Sequence, residues 1–206
     1  MKKFYLALFF VFSLYYQTSA QGRTFSVPID ISVFNNGNFM PGDGFLGVWS
    51  PKVHPGFTIG PRYYYNRTAS YELFQTAKLG YFYHRHAQQG FQLYTELGYR
   101  NYFLCPMFFE TRLNAGYMLS VPNIQTFEFK DGEYQEKKWK GRSQFIAGLN
   151  LSLGYGFYKV NDKLPFDVML GYHFWVQTPF VNKYVPVLPN NSVHLGVVYY
   201  LPDKKN

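Results

Sequence analysis

The sequence predicts an all-β protein: one eight-stranded antiparallel transmembrane β-barrel with a packed polar interior. Three observations carry that expectation. From Phe57 onward, apolar and polar residues alternate with period two, the mark of strands whose faces meet different surroundings. Several of these runs reach about 15 residues, where a soluble sheet uses about 5–6. Glycines and charges gather on one face, while the other is an almost unbroken apolar band.

Composition narrows the class further. The chain has 206 residues, 22% aromatic and 16% charged, which suits a single domain. Its 22 Phe and 20 Tyr exclude intrinsic disorder, and the lone Cys105 excludes a disulfide scaffold. After the first twenty residues no apolar run is long enough for a spanning helix.

The elements follow in order. Lys2 and Lys3 precede an apolar stretch from Phe4 to Tyr16, and Thr18-Ser19-Ala20 offers small residues for cleavage before Gln21. This is the pattern of a secretory signal, too short to span as a helix. Residues 1–20 are therefore expected to be removed near Ala20, leaving residues 21–206 as the barrel domain with a formal charge of +6 instead of +8. The first strand is expected at about Thr24–Phe34 and is the weakest, because Pro28 interrupts it. Phe57–Asn66 and Tyr71–His86 follow. Gln89–Leu104 sets Phe91, Leu93, Leu97, Tyr99 and Phe103 against Gln92, Glu96, Gly98 and Arg100. The next run sets Phe109, Leu113, Ala115, Tyr117 and Leu119 against Glu110, Arg112, Asn114 and Gly116. Arg142–Tyr158, Pro165–Phe180 and Ser192–Leu201 complete the eight.

Connection lengths sort by side. Asn66–Ser70, Leu104–Pro106 and Tyr158–Leu164 are short and fall on the side of the termini. Long loops at about 35–56, 120–141 and 181–191 fall opposite, joined by the short Ala87-Gln88. Short inner turns with long outer loops fit a membrane barrel. The inward face is identified by its small residues, in a repeated phrase: Leu79-Gly80-Tyr81, Leu97-Gly98-Tyr99, Ala115-Gly116-Tyr117, Leu153-Gly154-Tyr155 and Leu170-Gly171-Tyr172. A narrow barrel has a crowded concave face.

On these residues, the chain resembles the small eight-stranded outer-membrane barrels of Gram-negative bacteria. Its Tyr-, Asn- and Lys-rich loops are similar to those of Bacteroidota members. The resemblance implies an integral outer-membrane location after signal cleavage. It rests on pattern and covers nearly all of the mature chain. One departure is that Tyr199-Tyr200-Leu201 is followed by Pro202-Asp203-Lys204-Lys205-Asn206, where proteobacterial barrels typically end on an aromatic residue.

Inside the barrel, a three-residue turn at Leu104–Pro106 sets Arg100 opposite Glu110 and Glu96 opposite Asn114. Arg112 then lies diagonal to Glu96, and Lys78 approaches from the preceding strand. These five charges are read as an ion-pair network filling the lumen, since an unpaired buried charge is expensive. A polar pathway is the alternative. An open pore is disfavoured because eight strands leave no aqueous channel.

The histidines form a second set. By parity His84, His173, Ser192 and His194 face inward, with His194 within reach of His173 or Asp30. A Ser-His-acid arrangement suits acyl transfer. Small barrels similar to this one include lipid A deacylases and palmitoyltransferases, and those deacylases carry His-x-Ser on one strand with a nearby acid. Here Ser192-x-His194 runs in the opposite order with no acid following on the strand. No catalytic residue is therefore assigned, and Ser192, His194 and His173 are held as the set for an alternative, acyl-modifying reading. His84 and His86 are spaced to share a metal, but no third ligand is identifiable, so neither a metal site nor a cofactor is expected.

At the outer rim, the loop at 120–141 ends in Lys137, Lys138 and Lys140, followed by Arg142, with Arg85 and Lys183 at a similar height. Such cations suit the phosphates of lipopolysaccharide; a solvated loop of mixed charge is the other reading. Phe45, Leu46, Val48 and Trp49 make the first long loop apolar for a water-facing segment, as a cover for the barrel mouth or a contact for another membrane protein. Nucleic acid is excluded as a partner for an exported barrel, and Cys105 is assigned no role. The expected partners are outer-membrane lipid, lipopolysaccharide and another outer-membrane protein. The functional expectation is a non-enzymatic barrel working through its external loops.

Overall fold

In the computed structural model the described residues are 27–38, 53–85, 88–123, 127–130, 132–136, 141–161, 163–180 and 185–201. The elements are β1 (Ile29–Asn38), β2 (Pro55–Arg67), β3 (Tyr71–Tyr83), β4 (Gln88–Leu104), β5 (Met107–Pro122), β6 (Phe127–Lys130), β7 (Glu133–Glu136), β8 (Arg142–Gly156), the helical turn α1 (Phe157–Val160), β9 (Phe166–Thr178) and β10 (Leu188–Tyr199). Eight of these strands close into one antiparallel barrel in the order β1-β10-β9-β8-β5-β4-β3-β2. The leader and the apolar residues Phe45, Leu46, Val48 and Trp49 of the first loop lie outside the described residues.

Alternation converts directly into two surfaces. Leu79, Leu113 and Leu170 are each 60% exposed on the convex face, while Phe74, Phe82, Arg62 and Arg100 are fully buried on the concave one. A belt of exposed leucines of this extent is a liability in water and the expected coat of a barrel in lipid. No helix among the described residues is long and apolar enough to cross a membrane. This says nothing about strands.

Several boundaries differ from the sequence reading. Strand β1 starts after Pro28, whose carbonyl accepts from the Arg62 backbone N–H at 2.8 Å, and continues to Asn38. Strand β3 stops at Tyr83 instead of His86. Strand β8 stops at Gly156, and Phe157–Val160 coil into α1 in place of the expected strand end at Tyr158. Strand β10 begins at Leu188, four residues ahead of Ser192, because Pro189-Asn190-Asn191 carries turn-forming residues yet stays in register with Val176, Trp175 and Phe174. The loop at 120–141 also holds a hairpin, β6 paired with β7, with Gly132 at φ 86° in its turn.

The β2–β3 ladder is interrupted at Gly60-Pro61. Pro61 has no N–H to offer β3, and the carbonyl of Ala77 approaches Gly60 instead. A Cβ on Gly60 would lie 2.0 Å from that oxygen, so only glycine fits.

Candidate functional site

The lumen is stacked in layers from the end where the described termini lie, the near end, to the far end. Phe108, Met169, Val198 and Tyr200 form an apolar cluster at the near end, with Tyr64, Tyr102 and Tyr158 packed on it. Phe34, Phe82, Tyr94, Met118, Ile146 and Trp175 form another in the far half. Between and around them runs a belt of charge, so the interior is polar in its middle and aromatic on either side.

The belt contains five cations and five carboxylates, each within 3.5 Å of an opposite charge. Asp30 meets Arg62 at 2.5 Å, Lys78 at 2.9 Å and Arg112 at 3.3 Å. Glu110 meets Arg100 at 2.7 Å, Arg62 at 3.1 Å and also Arg112. Glu96 bridges Lys78 and Arg112, both at 3.1 Å. Asp167 takes Arg100 at 2.6 Å and the Tyr200 hydroxyl at 2.7 Å. Glu72 pairs with Arg67 at 2.9 Å and Arg100 at 3.5 Å. The five charges singled out in the sequence, Lys78, Glu96, Arg100, Glu110 and Arg112, lie in this belt. The register sets Arg100 against Glu110 and Glu96 against Asn114. Arg62, Arg67, Asp30, Glu72 and Asp167 complete it. Four of those five were legible by inward parity; Arg67 was not, because a register shift between Tyr64 and Asn66 displaces it.

Two of the arginines rest on a shared construction. Phe74 is registered opposite Gly98 and lies over it, and the Arg62 guanidinium stacks on the ring at 3.9 Å. Phe108 covers Gly154 in the same way and carries Arg100 at 3.8 Å. Glycine leaves room for the ring, and the ring face attracts the cation while holding it toward its carboxylates. Within the repeated Gly-Tyr phrase, Gly98 and Gly154 form the floor of this arrangement, while Gly80, Gly116 and Gly171 face other side chains. The phenylalanine above Gly98 and that above Gly154 each come from a neighbouring strand.

The histidine corner lies beside the belt. Ser192 Oγ and His194 Nε2 are 2.9 Å apart, and His194 Nδ1 lies 3.3 Å from Ser32 Oγ, which in turn bonds Thr58 at 2.7 Å. His194 stacks on Phe34 with ring centroids 4.6 Å apart. Its ring stands edge-on to His173 at 5.4 Å. The Asn114 amide donates to His173 Nε2 at 2.5 Å, which makes that nitrogen an acceptor. The second ring nitrogen of His194 therefore faces a hydroxyl, and the Asp30 carboxylate is occupied by three cations. Ser192, His173 and His194 are all buried. The adjoining void is about 10 Å³, about the room one water needs, and is bordered by Ser32, Arg112 and His194.

At the far end, His84 stacks face to face on His54 with centroids 3.6 Å apart, while His86 lies outside the described residues. No group of three or more metal-ligating side chains occurs among the described residues. The same end carries a layer of amides: Gln88 donates to Gln177 at 3.0 Å, Gln144 to the Pro179 carbonyl at 2.8 Å and Asn190 to the Leu188 carbonyl at 3.1 Å. Of the rim cations, Arg85 is exposed after β3 and Arg142 opens β8 opposite Ser120. Lys137, Lys138, Lys140 and Lys183 lie outside the described residues.

No protein-family model matches the chain, and no curated protein matches its sequence. Solved structures do match its shape. Neisserial surface protein A is 11% identical with a TM-score of 0.53, over 88% of this chain and 100% of that one. The attachment invasion locus protein Ail of Yersinia pestis, solved with the heparin analogue sucrose octasulfate, gives 15% identity and a TM-score of 0.47 over 84% and 97% of the two chains. The outer-membrane enzyme PagL gives 7% and 0.46 over 82% and 97%. At 11% identity, the first match establishes a shared fold, that of the small eight-stranded outer-membrane β-barrels.

Proposed function

We propose that this chain is a non-enzymatic, integral outer-membrane protein of a Gram-negative, Bacteroidota-like bacterium. It is exported by residues 1–20, and its external loops contact lipopolysaccharide or a partner in a larger membrane complex. The near end of the barrel is then periplasmic and the far end external. One observation carries the reading: the lumen is filled by a mutually compensating charge belt between aromatic layers. Among the described residues the lumen is taken up by these side chains, which supports the loops as the surface left to act. The basic segment Lys137, Lys138, Lys140 and Arg142, with Arg85 and Lys183, supplies cations suited to lipid phosphates. The apolar run Phe45, Leu46, Val48 and Trp49 supplies a surface suited to another protein. Gentle detergent extraction of tagged protein, with co-purifying proteins identified by mass spectrometry, tests this directly. A stoichiometric outer-membrane partner supports an accessory subunit. A strictly solitary barrel, together with loop deletions that leave envelope integrity untouched, defeats the proposal.

The Ser192–His194 hydrogen bond is the observation that favours the alternative, a lipid A acyl-modifying enzyme. Against it, the pair lacks an orienting carboxylate and faces the lumen, away from the acyl chains. An unchanged lipid A mass spectrum on deleting the gene eliminates that alternative.

A further inference from the structure

The near mouth of the barrel is crossed by a piece of chain that is not part of its wall. In the closed ring of eight strands, the joint between β8 and β9 lies four strands from the joint between β2 and β3 in either direction, which makes the two diametrically opposite. The β8–β9 connection is anchored on its own side: Gly156 N–H donates to the Pro106 carbonyl at 3.0 Å, and Tyr200 N–H donates to the Pro165 carbonyl at 2.7 Å. Its middle, α1, reaches the far side of the ring. Lys159 Nζ donates to the Ala69 carbonyl in the β2–β3 turn at 2.7 Å and stands 3.2 Å over the Tyr102 ring of β4. Tyr158 stacks on Tyr200 with centroids 4.5 Å apart and lies 5.6 Å from the Arg67 guanidinium at the end of β2.

We propose that α1 is a strap closing the near mouth, and that the lumen behind it becomes accessible to water when the strap lifts. Four side-chain contacts hold it across the mouth: one lysine–carbonyl hydrogen bond, one cation–ring contact, one ring stack and the Arg67–Tyr158 contact; on its own side Phe157 packs on Tyr155 and Phe166. None of them belongs to the ladder that closes the barrel, so the strap opens without a single strand pair separating. Behind it stand Tyr64, Tyr102, Tyr200 and the buried Val198, and then the Asp167–Arg100–Glu72 end of the charge belt. The inference concerns the mouth opposite the long loops and holds whether or not those loops bind the proposed partners.

The test uses the full-length barrel in lipid nanodiscs, where both mouths are reachable, in a Cys105→Ala background. Val198→Cys, nearly isosteric and buried behind the strap, is exposed to a small water-soluble thiosulfonate reagent. Combining Lys159→Met with Tyr158→Leu removes the hydrogen bond, the cation and the ring stack. The expected result is labelling of Val198→Cys about tenfold faster, the factor that one such contact pair supports. Lys159→Arg, which keeps both donor and cation, leaves labelling slow. Met118→Cys, in the far aromatic cluster, stays protected throughout. The proposal is overturned if Val198→Cys reacts at the same rate with the strap intact and broken. It is equally overturned if Met118→Cys accelerates alongside it, since the barrel is then loosening as a whole.

Discussion

The charge belt and the far amide layer are built on the same inward face from polar side chains, yet they are held in different ways. In the belt, Asp30 and Glu110 each touch three cations, and two of the arginines are seated on phenylalanine rings. In the amide layer, Asn36 uses neither side-chain polar atom in a hydrogen bond, and Asn190 Oδ1 and Asn191 Nδ2 also make none. The belt is a connected network in which every member meets an opposite charge, although single atoms of it, such as Arg62 Nε and Asp167 Oδ1, make no hydrogen bond. The amide layer mixes bonded side chains, such as Gln88 and Gln177, with others, such as Asn36, whose loss breaks no hydrogen bond. Removing one partner from a buried ionic network costs far more than the pair is worth net, because the remaining charge stays in a poor solvent. Removing an amide whose bonds are unmade costs little.

Five substitutions sharpen or break this contrast. Glu110→Ala leaves Arg62, Arg100 and Arg112 short of a shared counter-charge, and should destabilise the barrel by about 3–5 kcal/mol in urea unfolding from lipid vesicles. A loss under about 1 kcal/mol would show that the belt rearranges to compensate. Gly60→Ala places a methyl group against the Ala77 carbonyl, where backbone must move, and is expected to cost about 1–3 kcal/mol. Gly80→Ala, whose nearest neighbour is the end of the Gln92 side chain, should cost visibly less, and equal losses would refute the wall geometry at Pro61. Ser192→Ala removes one hydrogen bond to His194 and should lower stability by about 0.5–1.5 kcal/mol. The lipid A mass spectrum should be identical with and without that hydroxyl. Asn36→Leu should fall within about 0.5 kcal/mol of the parent, or above it. A loss as large as that of Glu110→Ala would mean the far layer is as tightly coupled as the belt.

The sequence disclosed the wall more fully than its contents. Period-two alternation is set by the pleat, so eight strands and their inward faces could be read residue by residue. A tight turn at Cys105-Pro106 fixed the β4–β5 register, and with it the Arg100–Glu110 and Glu96–Asn114 oppositions. Strand ends were less legible where local chemistry argues for a turn, as at Pro189-Asn190-Asn191, and tertiary pairing overrides it. Contacts across the lumen were the least legible. Arg62 reaches Glu110 from a strand that is not its neighbour in the barrel, and no one-dimensional pattern encodes the barrel's tilt and stagger. The same holds for Phe74 over Gly98, where glycine periodicity was visible but the identity of the covering ring was not. The histidine corner shows a further limit. Parity placed Ser192 and His194 together, whereas the third position of that chain, Ser32 and not an acid, comes from the closure of β1 onto β10.

Because the belt pairs five cations with five carboxylates, it takes equal shares from the chain's 20 Lys and Arg and its 12 Asp and Glu. The whole excess of eight positive charges therefore lies outside the belt. Ionic strength acts on those two populations unequally, since mobile salt screens exposed charges over about 8–10 Å and scarcely enters a filled lumen. Raising salt should strip anionic material from the rim while leaving the melting of the barrel almost where it was. Capture and cohesion can thus be measured separately in one preparation.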